Sequence, residues 1–566
     1  MALRLGEILL EKKLITQEQL KDAVEEQKKT GEFLGLILVK LGMASESAIL
    51  RVLADQQGIR FVDLKSMKID EKTIKSVPAK FAWHYKIMPV SVAGKALTIA
   101  VSNPFDMWPI DDLETHLGFR AEKILATASD IMEAIKKYYG IGSDTIEQLL
   151  FDESRTGRNK AAEPKAENAV EDLEKMSGTA SVVTLVNQVL QQAIADRATD
   201  IHLERFRDEV ILRYRIDGIL YDIQSGENIR FLYPAIVSRI KVMSRLDIIE
   251  RRIPQDGRAK VKIGGNEYDM RVSIVPTIYG EGIVIRVLSD KMLFSISDLG
   301  MSGNEIGILE KLIQKPHGII FVTGPTGSGK STTLYTCLSR MNTRDKKIIT
   351  IEDPVEYELR GVSQIQVHPK IGLTFANILR STLRHDPDIM MVGEVRDLET
   401  AQIAIQTALT GHLVFSTLHT NDAVSSITRL LDIGVEPYLV ASSAEAFVAQ
   451  RLVRLLCDHC KEPQPCQGLD ATLRSIPEAE RPKTIFRGKG CKACNQTGYL
   501  GRTGIYEILV VDEEIRRLVI QKAPADAIKL KVLKKGMRTL NQNGWEKVSK
   551  GITSPEEIMR VTQVEM

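Results

Sequence analysis

The first sixty residues carry a repeated pattern of apolar and polar positions. Residues 5–27 realign, 29 positions later, with residues 34–56. In each copy the pattern predicts a Leu-Gly turn, an apolar helical stripe, a capping residue at Thr16 or Ser45, and a second helix. Two copies of one small helical unit are therefore predicted at the start of the chain.

After the repeat, short apolar runs alternate with helical stripes. The run at 96–101 has the length and composition of a strand, and residues 61–140 predict a small α/β unit that completes an N-terminal domain over 1–140. Residues 141–180 are rich in Glu, Lys, Ala and Ser and nearly lack aromatic side chains. Such a segment cannot bury enough apolar surface to order itself, so it is predicted to be a flexible linker.

The rest of the chain predicts two further domains. A helical stripe at 181–195 and strand patterns at 209–215 and 266–273 indicate a second domain over 181–290. Residues 291–566 then alternate apolar runs with helical stripes, which is the pattern of a parallel α/β sheet. Four of these predicted strands lie at 318–323, 348–351, 389–392 and 413–417.

Composition and charge exclude several classes of protein. Hydrophobic residues make up 43% of the chain and charged residues 27%, which is typical of a globular protein and not of a disordered or fibrous one. The 76 basic and 74 acidic residues nearly cancel, so no overall field attracts nucleic acid or anionic lipid. The sequence has neither an apolar stretch of membrane-spanning length nor a signal-peptide pattern at its start, so a cytoplasmic location is predicted.

The predicted strand at 318–323 leads into a complete phosphate-binding loop of the form GxxxxGK[ST]. Its glycines allow backbone N–H groups to close around phosphates, Lys330 reaches the β and γ phosphates, and Ser331 is a ligand for Mg²⁺. No guanine-binding run follows, which favours ATP over GTP. The predicted nucleotide-binding residues of this loop are Gly324, Pro325, Thr326, Gly327, Ser328, Gly329, Lys330, Ser331 and Thr332.

Acidic and histidine residues stand at the ends of the neighbouring predicted strands. Glu394 follows one of them directly, where a carboxylate can hold Mg²⁺ or its water shell. The cluster 352–356 contains three carboxylates, one of which can orient the attacking water. His412 and His419 bracket the run at 413–417 and can sense the γ phosphate. The alternatives are a solvated acidic turn and structural histidines.

Four of the six cysteines form two close pairs, Cys457 with Cys460 and Cys491 with Cys494. Each pair can bind a metal through two thiolates, and together the pairs complete a tetrahedral Zn²⁺ site. Since the protein would fill all four positions, the metal is predicted to stabilise a subdomain at about 455–500, ahead of the C-terminal helices. Redox use or coincidence is the alternative. Cys337, on the helix after the phosphate loop, is interpreted as a small buried hydrophobe.

Taken in order, four motifs resemble those of the secretion ATPase superfamily. They look like its Walker A motif, Asp box, Walker B motif and His box, and lie at 324–331, 351–356, 393–397 and 411–419. Three further segments, at 199–204, 213–218 and 253–258, resemble the second domain of that family. The resemblance implies a multidomain α/β protein with a RecA-like P-loop NTPase domain at the C-terminal end and a PAS-like α+β second domain.

The resemblance also implies roles for individual side chains. Glu356 is similar to the family's general base, Glu394 to its Walker B acid and magnesium ligand, and His412 and His419 to its His-box pair. Arginines of the second domain are candidates for contacts to the γ phosphate, Arg213 and Arg215 because they share one face of a predicted strand. The full set of candidate arginines is Arg213, Arg215, Arg271 and Arg286. The alternative for each is a surface ion pair with a nearby carboxylate.

Within the superfamily, the chain is most similar to the type IV pilus extension ATPases, and the type II secretion ATPases are the alternative. Retraction motors are disfavoured because they look shorter and usually lack the paired cysteines. The resemblance implies a homohexamer in the cytoplasm, docked at the inner membrane. Its implied partners are a membrane platform protein and cytoplasmic pilus or secretion components.

The repeated N-terminal unit resembles the MshEN domain, which implies an MshEN-like fold over 1–140 and cyclic di-GMP as a candidate ligand. The first copy keeps the Arg-Leu-Gly opening at 4–6 but has Lys13 where that family favours Gly. The second copy has Phe33 in place of the arginine yet keeps Gly42. Simple helix packing, or docking to a membrane partner, is the alternative.

Two functions of other classes fit the sequence less well. A nucleic-acid motor or recombinase would share the phosphate loop, but the balanced charge and the lack of a base-stacking or helix-turn-helix motif predict no nucleic-acid partner. A regulatory module with a dead nucleotide site is disfavoured because Lys330, Ser331, Glu356 and Glu394 are all present. The predicted activity is therefore ATP hydrolysis coupled to mechanical work.

Overall fold

A computed structural model of the chain describes residues 5–31, 33–105, 113–115, 117–140, 180–224, 229–289, 295–466, 481–482 and 484–562. The chain forms two compact units, Met1–Val287 and Leu288–Met566. The predicted linker at 141–180 lies outside the described residues except for residue 180, and Arg4 of the Arg-Leu-Gly opening lies outside them as well. Among the described helices, none combines the length and apolar character needed to cross a bilayer.

Four helices form the N-terminal repeat, and equivalent helices begin 29 residues apart, as the sequence pattern predicts. Thr16 and Ser45 each accept the N–H of the residue three positions later, at 3.3 Å in both cases, and so cap the second helix of each copy. The helices are α1 (Leu5–Glu11), α2 (Gln17–Thr30), α3 (Leu34–Lys40) and α4 (Glu46–Gln57).

The Leu-Gly pairs that open each copy lie inside helices α1 and α3, so the prediction that they form turns is wrong. Their glycines allow two helices to approach each other. A Cβ atom on Gly6 would lie 2.7 Å from Leu20 Cδ1, and one on Gly35 would lie 3.0 Å from Ile49 Cγ2. These contacts are equivalent in the two copies, and they explain the glycines by helix packing.

The residues up to 140 then form a small α/β unit, as predicted. Its three-stranded sheet has the order β1-β2-β3, with β1 and β2 antiparallel and β2 and β3 parallel. The elements are α5 (Glu71–Ser76), α6 (Ala79–Tyr85), β1 (Met88–Ala93), β2 (Ala96–Val101), β3 (Arg120–Leu125) and α7 (Ala128–Tyr139).

Residues 180–289 form a six-stranded sheet of order β6-β5-β4-β9-β8-β7 with two helices. Alternate residues of β5 are buried, which places Arg213 and Arg215 together on the less buried face, as the sequence predicts. The elements are α8 (Ala180–Ala195), β4 (Ala198–Arg205), β5 (Val210–Ile216), β6 (Ile219–Ile223), α9 (Ile229–Met243), β7 (Gln255–Ile263), β8 (Asn266–Thr277) and β9 (Gly280–Ser289).

The second compact unit is built on a seven-stranded sheet of order β12-β11-β13-β14-β10-β15-β18. Four of its parallel strands lie at the predicted runs: β10 (Gly318–Thr323), β11 (Ile348–Glu352), β13 (Ile389–Val392) and β14 (Leu413–Leu418). The strand β12 (Ser363–Gln366), parallel to β11, was not predicted. Every residue of β10, β13 and β14 is buried, because helices cover both faces of a parallel sheet. The helices among these strands are α10 (Gly303–Ile313), α11 (Lys330–Met341), α12 (Phe375–Thr382) and α13 (Leu398–Leu409).

The C-terminal part of this unit adds a long antiparallel pair, β15 with β18, to the parallel sheet. A separate two-stranded sheet, β16 with β17, accompanies the cysteine pairs. The elements are α14 (Ala423–Asp432), α15 (Pro437–Ser443), β15 (Ala444–Leu456), β16 (Lys461–Pro465), β17 (Thr484–Gly488), β18 (Tyr499–Val510), α16 (Glu513–Ile520), α17 (Ala525–Lys534), α18 (Leu540–Ser549) and α19 (Pro555–Thr562).

Candidate active site and metal centre

The phosphate loop lies at the edge of the sheet where the parallel strands end. Strand β10 pairs with β14, and β14 with β13, in a register that sets Thr323 beside Leu418 and Val392 beside Ser416. Strand β11 also runs parallel to β13. Because these strands share one direction, the residues that follow them meet at a single edge. This is the edge from which Glu394 and His419 extend.

Close packing against strand β15 fixes the phosphate loop. A Cβ atom on Gly324 would lie 2.5 Å from the carbonyl oxygen of Gln450, and one on Gly329 would lie 2.8 Å from Gln450 Nε2. Both glycines also have positive φ, 149° and 88°. The buried Gln450 accepts a hydrogen bond from Thr333 Oγ1 at 2.7 Å, which ties the first turn of α11 to β15. Any side chain at either glycine would displace the loop.

Lys330 begins helix α11 and folds back over the loop. Its Nζ donates to the carbonyl oxygens of Gly324 at 2.7 Å and Pro325 at 3.1 Å. Burial is the main reason that the pKa of Lys330 is lowered to about 8; the charge of Glu394 opposes this shift, and the charge of Arg451 adds to it. Within the described part of the chain, the ammonium group is partly buried and its hydrogen bonds go to carbonyl groups, so a polyphosphate would provide the opposite charge that it needs.

Ser328 gives direct support for an anion in this loop. The residue is only 3% exposed, and its Oγ has no hydrogen-bond partner among the described residues. A buried hydroxyl without a partner is costly, and a phosphate oxygen would satisfy it. On the first turn of α11, Ser331 is exposed, whereas Thr332 is partly exposed and its side chain is hydrogen-bonded to Tyr357.

Glu394 follows β13 and is held by two basic side chains. Arg396 Nη2 lies 2.5 Å from Glu394 Oε1, and His419 Nε2 lies 3.4 Å from Glu394 Oε2. Burial and the charge of Lys330 lower the pKa of His419, although Glu394 opposes the shift, so its imidazole is neutral at pH 7. Ser331 and Glu394 offer the oxygen ligands that Mg²⁺ prefers and would hold it, and the bound ion would neutralise phosphate charge.

The three carboxylates of the Asp box have different surroundings. Glu352 is 4% exposed and accepts three hydrogen bonds, from Thr350 Oγ1 at 2.5 Å, from Gln364 Nε2 at 3.1 Å and from the hydroxyl of Tyr335. A carboxylate held in this way is not available to activate water. Asp353 is exposed and Glu356 is partly exposed, so these two remain accessible.

The two histidines of the His box lie at opposite ends of β14. His419 follows the strand at the phosphate-loop edge, whereas the carbonyl oxygen of His412 accepts the N–H of Gly318 at the start of β10. A strand of this length spans about 20 Å. His412 Nδ1 lies 3.0 Å from the carbonyl oxygen of Thr407 and 3.2 Å from Thr410 Oγ1. The structure therefore does not bring His412 to the phosphate loop of its own chain.

All four candidate arginines belong to the unit that ends at Val287. Three of them have carboxylate partners there: Arg213 pairs with Glu204, while Arg215 Nε lies 3.9 Å and Arg286 Nε 2.9 Å from Asp200. Arg271 lies opposite Arg258 in the β7–β8 ladder. Ion pairs with nearby carboxylates, the alternative considered for these residues, thus exist for Arg213, Arg215 and Arg286.

The four paired cysteines converge as predicted. Their sulfur atoms all lie within 4.8 Å of one another, with Cys457 3.7 Å from Cys491 and Cys460 3.9 Å from Cys494. Tetrahedral Zn²⁺ with four thiolates requires sulfur separations of about 3.8 Å. Burial raises the pKa of the Cys457 and Cys460 thiols. Burial also opposes ionisation of Cys494, but the N–H groups of Cys491 and Gly498 lower the pKa of that thiol to about 7. The cluster therefore fits Zn²⁺.

The other two cysteines lie outside this cluster. Cys337 lies on α11 and is buried in an apolar core of the unit. Burial raises the pKa of its thiol to about 12, which agrees with its interpretation as a small hydrophobe. Cys466 is partly buried and packs against the apolar core of the unit.

Several residues of the site have no motif that would have identified them. Gln450 and Arg451 come from β15, far along the chain from the loop they contact. Arg451 Nη2 donates to the carbonyl oxygen of Asn421 at 2.9 Å, which connects β15 to the segment after His419. Thr323 Oγ1 lies 2.6 Å from Thr420 Oγ1 and joins that segment to β10. The local sequence around these residues resembles that of an ordinary buried strand.

Comparison with known families agrees with this geometry. The family model described as "Type II/IV secretion system protein" matches residues 175–560. The chain belongs to this secretion ATPase family. It is therefore an ATPase. The MshEN domain model matches residues 57–145, which covers the small α/β unit and only the end of the helical repeat.

Relatives of this secretion ATPase match along nearly its whole length. The type IV pilus assembly ATPase PilB of Myxococcus xanthus is 41% identical over 560 residues, which cover 98% of both chains. The type II secretion system protein E of Xanthomonas campestris is 40% identical over 570 residues, 99% of this chain and 98% of its own. The X-ray structure of the Legionella pneumophila ATPase DotB has a TM-score of 0.51 at 22% identity and covers 67% of this chain and 95% of its own, which supports the fold.

The lowered pKa of Lys330 predicts a pH-dependent nucleotide affinity. Above about pH 8 the free ammonium group loses its proton, and bound phosphates must restore it, so binding takes up a proton and the Kd for a non-hydrolysable ATP analogue should rise by up to about tenfold per pH unit. Lys330→Arg stays protonated and should show a flat Kd over the same range. A wild-type Kd that is constant from pH 7 to 9.5 would contradict the assignment.

The cysteine cluster predicts about one zinc ion per chain. Cys457→Ser and Cys494→Ser should each abolish stoichiometric zinc, measured by plasma mass spectrometry, and should lower Tm because the metal cross-links the two cysteine loops. Cys466→Ser is the matched control and should keep both the zinc and the Tm. Full zinc content in either cluster variant would count against a four-thiolate site.

Proposed function

We propose that this secretion ATPase forms a homohexamer that drives assembly of type IV pili, working in the cytoplasm while docked on an inner-membrane platform protein. The observation that supports it most is the 41% identity with the pilus assembly ATPase PilB over 98% of both chains. Cytoplasmic pilus components are its further partners. The balanced charge of the chain gives no reason to include nucleic acid among them.

In the proposed reaction the loop amides and Lys330 bind the phosphates, and Ser331 with Glu394 holds the magnesium ion that accompanies ATP. Glu356 serves as the general base that orients the attacking water, because Glu352 is sequestered by its three donors. The neutral His419 fixes Glu394 from the other side. We assign no phosphate contact to His412.

The arginines of the second domain complete the proposed site. In a ring of six chains, Arg213, Arg215, Arg271 and Arg286 of one chain would approach the nucleotide of its neighbour and stabilise charge in the transition state. Arg213, Arg215 and Arg286 have carboxylate partners in the isolated chain, and those ion pairs would exchange for phosphate contacts in the ring.

Protein export through a type II secretion system is the second candidate function. Its support is the 40% identity with the type II secretion system protein E of Xanthomonas campestris over 99% of this chain, nearly equal to the match with the pilus ATPase. Both functions use the same ATPase chemistry. They differ in what the cell loses when the ATPase is inactive.

The test combines an enzymatic assay with a cellular one. Lys330→Ala should abolish phosphate release and nucleotide binding, whereas Glu356→Gln should lower kcat by at least about a hundredfold and still bind ATP. Glu358→Gln is the matched control, since this exposed carboxylate lies in the same segment. A strain with Lys330→Ala should lack surface pili and secrete proteins normally. Normal pili together with lost secretion would favour the export function. ATP turnover by the Glu356→Gln variant would exclude Glu356 as the general base.

We also propose cyclic di-GMP as a ligand of the N-terminal domain, on the strength of the repeat and of the MshEN match. The second copy differs from the family because Phe33 replaces the arginine. Phe33 is 58% exposed, and its ring stacks on that of Phe105 with centroids 5.3 Å apart. Calorimetry of the full chain with cyclic di-GMP should show binding that Leu5→Asp weakens and Phe33→Ala spares. If no heat of binding is measured at high cyclic di-GMP concentration, the proposal that this dinucleotide is a ligand is wrong.

A further inference from the structure

A buried tyrosine connects the helix of the phosphate loop to the segment that carries Glu356. Tyr335 lies on α11, five residues after Lys330, and is 3% exposed. Its hydroxyl donates a hydrogen bond to the carboxylate of Glu352 and accepts the backbone N–H of Glu356 at 3.2 Å. One oxygen atom thus joins both ends of the Asp box to α11.

The neighbouring residues hold this connection in place. Gln364 Nε2, on β12, donates to Glu352 Oε1 at 3.1 Å and to the carbonyl oxygen of Tyr357 at 3.1 Å. Gln364 Oε1 accepts the N–H of Leu359 at 2.6 Å. The rings of Tyr335 and Tyr357 meet edge to face with centroids 4.6 Å apart. Four residues of the segment, Glu352, Glu356, Tyr357 and Leu359, are therefore attached to α11 or β12.

Only a hydroxyl can fill the position of the Tyr335 oxygen. Glu352 requires a donor there and the Glu356 N–H requires an acceptor, and a phenol supplies both from one atom. Burial and the charge of Glu352 raise the pKa of Tyr335 well above its ordinary value, so the phenol keeps its proton. A phenylalanine would fill the same space and lose both bonds.

We propose that Tyr335 is a positioning residue for ATP hydrolysis, which sets the location of Glu356 relative to the phosphates that Lys330 binds. The inference rests on the proposed role of Glu356 as general base. Tyr335 and Lys330 lie on the same helix, α11. A shift of α11 on nucleotide binding therefore also moves the Tyr335 hydroxyl, to which the Glu356 N–H is bonded. Glu352 supports the reaction only by fixing the phenol.

The first experiment separates catalysis from binding. In the full-length enzyme, Tyr335→Phe should lower kcat by about tenfold, the loss expected when a general base is misplaced but still present. The Kd for a non-hydrolysable ATP analogue should stay within about twofold of wild type, because the loop and Lys330 are untouched. Tyr499→Phe is the control and should keep kcat. It removes the hydroxyl of a different, partly buried tyrosine of the same unit, which lies 2.7 Å from Ser554 Oγ.

A second variant distinguishes positioning from simple stabilisation. Tyr335→Phe leaves the Glu352 carboxylate buried with one donor fewer, and Glu352→Gln removes that charge. The double variant should therefore regain most of the lost Tm but keep the low kcat, since the Glu356 N–H still lacks its acceptor. Recovery of kcat together with Tm would overturn the inference, and so would a wild-type kcat in Tyr335→Phe. Turnover by Glu356→Gln, measured in parallel, would instead refute the proposed base.

Discussion

Strands β10, β11, β13 and β14 end at one edge of the seven-stranded sheet, and the side chains of the nucleotide site are attached within a few residues of those ends. Every residue of these strands is buried, so a slip along a strand would draw the polar residues that follow it into the core. The register is therefore strongly determined. It places Glu394, His419 and the phosphate loop side by side although they are separated by many residues in sequence.

The charged groups at this edge already have partners within the protein. Lys330 donates to two loop carbonyl groups, and Glu394 accepts from Arg396 and His419. Binding of nucleotide and magnesium exchanges these partners for phosphate oxygens and the cation. An exchange of this kind keeps desolvated charges paired at each stage, and the buried Ser328 hydroxyl, which has no partner among the described residues, would gain one.

Strand β15 links the nucleotide site to the cysteine cluster. Gln450 and Arg451, in the middle of this strand, pack against the phosphate loop, and Cys457 comes directly after the last residue of the strand. The other cysteine pair precedes β18, which is the antiparallel partner of β15. A metal at the cluster would therefore close one end of the ladder whose middle supports the loop.

The sequence by itself determined the elements whose signals are local. The phosphate loop, the parallel strands, the paired cysteines and the 29-residue repeat were all identified from spacing or from runs of apolar residues. Only the tertiary structure decided which groups share a neighbourhood. It showed that Glu352 is sequestered by hydrogen bonds, and that His412 and His419 lie at opposite ends of one strand. It also placed Gln450 against the phosphate loop and the glycines of the Leu-Gly pairs in contacts between helices. These outcomes depend on strand register and on packing between distant segments, and a local pattern does not encode the partner that a side chain meets across the fold.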